Sequence, residues 1–246
     1  MNDIMQKHKF WAVLTPGGLS AVQAIDLLTT ARGPSEAQAG ELLPNIERVK
    51  ASVRRCSEHA LPVTLNGLEL DFAKVNHCNL AWLSITGKEL QAEFLDTLAS
   101  ELFLTGTLVM AVLLNHDYDY WQNAEDLLQY RAAGRAYAHL RLRSNGLPAP
   151  LTQDVVDISE NPGRRYLREG FIEVVGSRMW LTDLFWTLTG ADKRILTTQH
   201  NFHVRQEASG LLKLEASITP FDSPEGEQAS TQNRLREMLF PSAPEV

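Results

Sequence analysis

The longest uninterrupted apolar run in the chain is Leu108-Val109-Met110-Ala111-Val112-Leu113-Leu114. It is far too short to cross a bilayer. It is rich enough in β-formers to predict a central strand of a sheet. A chain of 246 residues with a hydrophobic fraction of 44% can bury a sizeable core around such a strand without disulfide or metal staples.

Three segments share a strand, turn and helix order. The first runs from Phe10–Leu14 through Thr15-Pro16-Gly17-Gly18 into Leu19–Leu28. The second runs from Leu80–Ile85 through Thr86-Gly87 into Glu89–Phe103, and the third from Phe171–Val175 through Gly176-Ser177 into Met179–Leu188. Each switches from β-branched and aromatic residues to helical spacing across a Gly-containing turn. Side-chain identity is not kept between them, so they are not a true repeat. In the second helix, Thr86 and Glu89 have the spacing of a capping box. Leu90, Phe94, Leu98 and Leu102 then form one apolar stripe, with Leu95 alongside.

Two hairpins are expected. Val63 and Leu65 precede Asn66-Gly67, and Leu68, Leu70 and Phe72 follow; Asn-Gly accepts the positive φ of a type I′ turn. The second spans Gln199–Thr219 with its turn near Ala208-Ser209-Gly210. Glu125–Ala138 reads as a helix burying Leu128 and Ala132, and Thr231–Phe240 as a short closing helix. Asp222–Gln228 reads as a mobile loop and Pro241–Val246 as a frayed tail. Interspersed helices together with hairpins predict an α+β fold, an antiparallel or mixed sheet with helices packed on it, over a doubly wound parallel one. Residues 1–246 are read as a single globular domain. The Pro/Gly loop 145–150 is the best boundary if there are two lobes, 1–144 and 151–246.

Net charge is −7. That disfavours nucleic acid and anionic lipid, and favours basic partners or plain solubility. The N-terminal residues Met1–Phe10 lack the apolar core of a signal peptide. A cytoplasmic protein with no membrane partner is therefore expected. Cys56 and Cys78 belong to no C-x-x-C pair, and two lone thiols are favoured over a disulfide between them.

Familiar catalytic motifs fail in turn. Thr15-Pro16-Gly17-Gly18 lies between a strand and a helix, but it lacks the Lys-Ser/Thr of a P-loop and the spacing of a dinucleotide fingerprint. Serine nucleophile elbows are missing. His59 and His77 lie near the cysteines in sequence only. His200 and His203, three apart on an expected strand, would point to opposite faces. No cofactor is expected. The one hint of metal chemistry is His116, Asp117 and Asp119 at the end of the central strand. The two aspartates would share a face if that strand continued. This supports the alternative of a small metal-dependent hydrolase or transferase.

Asp117-Tyr118-Asp119-Tyr120-Trp121-Gln122-Asn123-Ala124-Glu125-Asp126 gathers four acids and three large aromatics within ten residues. Tyr and Trp are favoured at binding hot spots. Spaced carboxylates can mimic phosphates toward a basic cleft. Asp117, Tyr118, Asp119, Tyr120, Trp121, Glu125 and Asp126 are thus the candidate partner-binding residues. The plainer account has the rings anchoring a helix start and the acids serving its dipole. Met179–Leu188 is apolar on more than one face, which means burial or an interface in an oligomeric scaffold.

With those two segments as its local support, the chain resembles the immunity proteins that accompany bacterial type VI secretion toxins. Within that group it is most similar to those paired with restriction-endonuclease-like nuclease toxins. The resemblance implies a non-catalytic cytosolic protein, monomeric alone, that binds a cognate toxin tightly and occludes its active site.

Overall fold

The computed structural model describes residues 6–32, 50, 60–65, 67–88, 90–198, 202–207 and 209–241. The apolar run lies in strand β5 (Leu108–Asn115), all eight residues of which are buried. It pairs with β1 (His8–Leu14) on one side and β10 (Arg178–Leu181) on the other. The sheet grows outward from this trio to β4 (Leu80–Gly87), β3 (Leu68–Val75) and β2 (Ala60–Leu65) at one end. At the other end come β12 (Leu212–Glu215) and β11 (His203–Gln206). The order is β11-β12-β10-β5-β1-β4-β3-β2, and each neighbouring pair runs antiparallel.

Alternation along each strand divides the core in two. Phe10, Ala12 and Leu14 of β1 face one cluster with Leu83, Ile85 and Trp180. Helices α1 (Ala21–Arg32) and α2 (Ala92–Leu104) cover it through Ile25, Leu28, Leu95 and Leu98. Trp11, Val13, Met110, Val112 and Met179 face the opposite cluster. Over that face lie α5 (Asp183–Thr189), α6 (Lys193–Thr197), α7 (Gly226–Leu239) and the hairpin of β8 (Tyr166–Arg168) and β9 (Phe171–Glu173). The α+β fold expected from the sequence is what forms.

Several local expectations need correcting. Met179–Leu181 are strand, and the helix begins only at Asp183, after Thr182 caps it by accepting the Phe185 N–H at 3.4 Å. A strand between β5 and β12 with both faces covered is apolar all round, as a buried helix would be. The capping box does not form: Thr86 is buried inside β4 and the N-cap of α2 is Gln91; Glu89 lies outside the described residues. The apolar stripe of α2 does form, with Leu95, Leu98, Ala99 and Leu102 buried. On its flank, Asp96 accepts from Trp180 Nε1 at 3.0 Å and Lys213 Nζ at 2.6 Å, tying helix to sheet.

Instead of a helix over 125–138, only α4 (Leu127–Ala132) forms. Tyr130 is its buried residue and Leu128 is 64% exposed, the reverse of the expected face. The chain turns away at Gly134, where φ is +64°. Two further strands, β6 (Leu142–Ser144) and β7 (Asp154–Val156), make a small hairpin around the 145–150 loop. The large sheet takes strands from both sides of that loop. The 222–228 loop is tied down, with Gln228 Oε1 accepting from Asp222 N and Ser223 N, and α7 begins inside it at Gly226. Cys78 is buried as a free thiol; Cys56, His59 and His200 lie outside the described residues. None of the described helices is long and apolar enough to cross a membrane.

Gly176, two residues before β10, lies close against β5. A Cβ there would meet the Leu113 carbonyl oxygen at 2.4 Å and Val112 Cγ2 at 2.3 Å. Gly176→Ala should lower stability by about 1–3 kcal/mol, the range for overpacking, seen as a reduced midpoint of denaturant unfolding.

Candidate functional site

The central strand stops at Asn115 because its side chain turns back on the next residues. Asn115 Oδ1 accepts from Asp117 N and Tyr118 N, both at 3.1 Å, and so caps helix α3 (His116–Gln122). Asp117 and Asp119 therefore stand on a helix. At about 100° per residue their side chains diverge by about 200°. The shared carboxylate face expected of a continuing strand does not arise. Among the described residues, no three His, Cys, Asp or Glu side chains converge as a metal site would require.

The acidic-aromatic segment is distributed among different environments. Asp119 is 4% exposed. Arg165 Nη1 donates to both its oxygens at 2.8 and 2.6 Å, and Lys9 Nζ donates to Oδ2 at 3.1 Å. Both cations lie over the Trp11 ring, at 4.1 Å for Lys9 and 5.1 Å for Arg165. Burial lowers the Lys9 pKa against the attraction of Asp119, and the neighbouring Arg165 lowers it further. This carboxylate is an internal tether. Tyr118 packs against the core cluster beneath α7 and shares a hydrogen bond with Gln232. Burial pushes its phenol up to about 12 from 10.0.

Trp121 belongs to a satellite core with Ala124, Tyr130, Val156 and Ile158. Its ring lies 5.0 Å from Tyr130, with the Arg135 guanidinium 4.3 Å above it. Glu125 meets Arg143 at 3.2 Å, and Asp126 caps α4 by accepting from Leu128 N at 2.8 Å. Asp117 and Tyr120, the latter 43% exposed, present free surface. His116 is half-buried. The seven predicted residues do not form one continuous face.

The end of α3 is strapped to the following loop. Gln122 Oε1 accepts from Gly163 N at 3.0 Å, Asn161 Nδ2 donates to the Gln122 carbonyl at 2.8 Å, and Asn123 Oδ1 accepts from Arg165 N at 2.8 Å. A Cβ at Gly163 would strike Gln122 Cγ at 2.7 Å and Tyr118 Cε1 at 2.8 Å. Between these straps the chain leaves the main body and builds an arm from α4, β6 and β7 over the satellite core.

The tip of that arm has a character that the sequence motifs did not mark. Leu147 is 51% and Leu151 60% exposed, and Pro148, Ala149 and Pro150 between them are exposed too. Yet the loop is held in shape. Asn145 Oδ1 accepts from Leu147 N at 3.1 Å and Gln153 N at 3.2 Å, while its Nδ2 donates to the Leu151 carbonyl at 2.9 Å. Leu151 N donates to the Pro148 carbonyl, and Thr152 Oγ1 to that of Leu147. Asn is suited to such a hub because its amide both donates and accepts within a turn. The readable signal was Asn145-Gly146 followed by leucines and prolines in place of polar residues.

An open cleft of about 490 Å³ beside β11 is lined by Arg178, His203, Glu215 and Ile218 among others. The Arg178 guanidinium is already 2.8 Å from Glu215.

Asp119→Ala would leave two cations without a carboxylate. It should cost about 3 kcal/mol, the low end for a broken buried pair because Arg165 is one-third exposed; calorimetric unfolding reads it. For Tyr118, the folded state keeps the phenol protonated to about pH 12, whereas the unfolded chain releases the proton near 10. Its contribution is complete below pH 10 and is lost as pH rises from about 10 to 12. Tyr118→Phe should therefore show a shallower alkaline loss of stability over that window. Comparison with protein-family models, curated proteins and solved structures finds no match to the chain.

Proposed function

We propose that this chain is a non-catalytic binding protein that neutralises a cognate toxin, a nuclease effector, by covering its active site, in the manner of an immunity protein. The observation that supports this is the hydrogen-bonded apolar loop Gly146–Leu151. Exposed leucines gain nothing in the free protein, and fixing their loop sacrifices chain entropy. Both features favour association, because a loop already in its bound shape loses little further freedom on docking. The likeness to type VI immunity proteins in the sequence points the same way. The alternative, a metal-dependent hydrolase, needs Asp119 free beside Asp117, and Arg165 and Lys9 occupy it.

The test is co-expression with the product of an adjacent toxin-encoding gene. Restored growth, a stable complex and competition with the toxin's substrate are expected. The Leu147→Asp/Leu151→Asp double variant changes two solvent-facing side chains, so it should unfold at the wild-type midpoint. It should bind about a hundredfold or more weakly, as loss of two hot-spot contacts would give. Wild-type affinity in that variant removes the loop from the proposal, and failure of the wild-type chain to bind removes the proposal itself.

A further inference from the structure

We infer that Asn145 is a self-modifying site: in the folded protein the Gly146 backbone nitrogen attacks its side-chain amide, and the conversion loosens the loop that Asn145 holds. The reaction takes only this chain and water. It is therefore separable from the blocking role, although on that reading it also gives the docking loop a finite lifetime.

Two asparagines of the chain precede glycine, Asn66 and Asn145; Asn66 lies outside the described residues. An asparagine before glycine is labile because no Cβ on the next residue hinders its nitrogen. Base removes the Gly146 N–H proton, and the nitrogen bonds to Asn145 Cγ. The Cγ–Nδ2 bond breaks, Nδ2 takes a proton from water, and ammonia leaves behind a five-membered succinimide ring. Water then opens the ring. Breaking the new bond from Gly146 N to Cγ leaves aspartate. Breaking the original peptide bond leaves isoaspartate, with the chain rerouted through Cβ and Cγ. Either way one ammonia is lost, one water is gained and one negative charge is added.

The loop presents these groups to solvent. Gly146 is exposed, with φ at +76°, and its N–H donates to the hydroxyl of exposed Ser144 at 3.2 Å. Water and hydroxide thus reach the proton that must leave. Negative charge grows on Asn145 Oδ1 as Cγ is attacked, and that oxygen already accepts from Leu147 N and Gln153 N at 3.1 and 3.2 Å. Two fixed backbone donors favour the developing charge as an oxyanion hole does. Other asparagines lack this setting: Asn161 precedes Pro162, which has no N–H to lose, and Asn115 is buried.

The product cannot hold the loop as Asn145 does. Asn145 Nδ2 donates to the Leu151 carbonyl at 2.9 Å. A carboxylate has no donor, so oxygen faces oxygen there. In isoaspartate the former side-chain carbonyl becomes part of the main chain, which breaks the geometry that gathered Leu147 N and Gln153 N.

The experiment incubates the purified full chain folded, and in parallel unfolded in guanidinium chloride, at neutral to mildly alkaline pH. Peptide masses are followed with time. Expected in the folded chain is the mass gain of NH2 replaced by OH at Asn145, faster as pH rises. It should be absent from Asn145→Gln, whose longer side chain closes the ring poorly; calorimetric unfolding confirms that this variant is folded. Amide exchange is then compared between fresh and converted chain. The Leu147, Leu151 and Gln153 amides should exchange about tenfold faster after conversion, the size of one lost hydrogen bond. Asn145 left intact in the folded chain overturns the inference, and conversion in the unfolded chain alone would mean that the fold shields the site. Conversion with unchanged exchange at the three amides overturns it too. An equal mass gain at position 145 in the Asn145→Gln variant would mean direct hydrolysis without Gly146, which also overturns it.

Discussion

Leu108–Asn115 has no side turned to water, and the rest of the molecule is arranged around that demand. Its two edges are taken by β1 and β10, and its two faces by separate clusters of side chains. A strand enclosed this way needs helices on both layers, which is why α1 and α2 lie on one side and α5 to α7 on the other. It also tolerates only glycine where residue 176 passes over Leu113. The strand's last residue sets the course of the next segment. Asn115 is itself buried, and its amide ends the strand and begins α3 in one step. From that point the directions of Tyr118, Asp119 and Trp121 are set.

What could be read from the sequence was whatever has a local period or a local turn chemistry. The β2–β3 hairpin, the stripe of α2 and the continuous run of β5 all belong to that kind, though Asn66 itself lies outside the described residues. Met179–Leu181 could not be read so, because a segment covered on both faces has no alternation to distinguish strand from helix. The short α4 failed for the opposite reason: Leu128 points outward, against the rule that apolar side chains mark the inner face. The acidic-aromatic segment was legible as unusual, but not as a set of tethers. Asp119 is neutralised by Lys9 and Arg165, 110 and 46 residues away in sequence, and only the folded topology brings them together.

The candidate surface moves from α3 to the arm for a related reason. Charge counted over the whole chain does not say where apolar side chains are left in water, whereas Leu147 and Leu151 stand exposed at the tip of the arm. Asp117 and Tyr120 remain on the surface, while Trp121 packs into the arm's small core and Tyr118 into the main core beneath α7. Residues expected as contacts thus serve mostly to hold the fold: Tyr118 and Asp119 tie α3 to the main body, and Trp121, Glu125 and Asp126 fix the arm.

The straps from Gln122 and Asn123 to Asn161, Gly163 and Arg165 cinch the chain where the arm departs and where it returns. Everything distal to that neck has its own small core and takes no share in the register of the large sheet. Such an insertion can change its length, tip or charge during evolution with the scaffold left untouched, so lineages can acquire new recognition while inheriting an old frame.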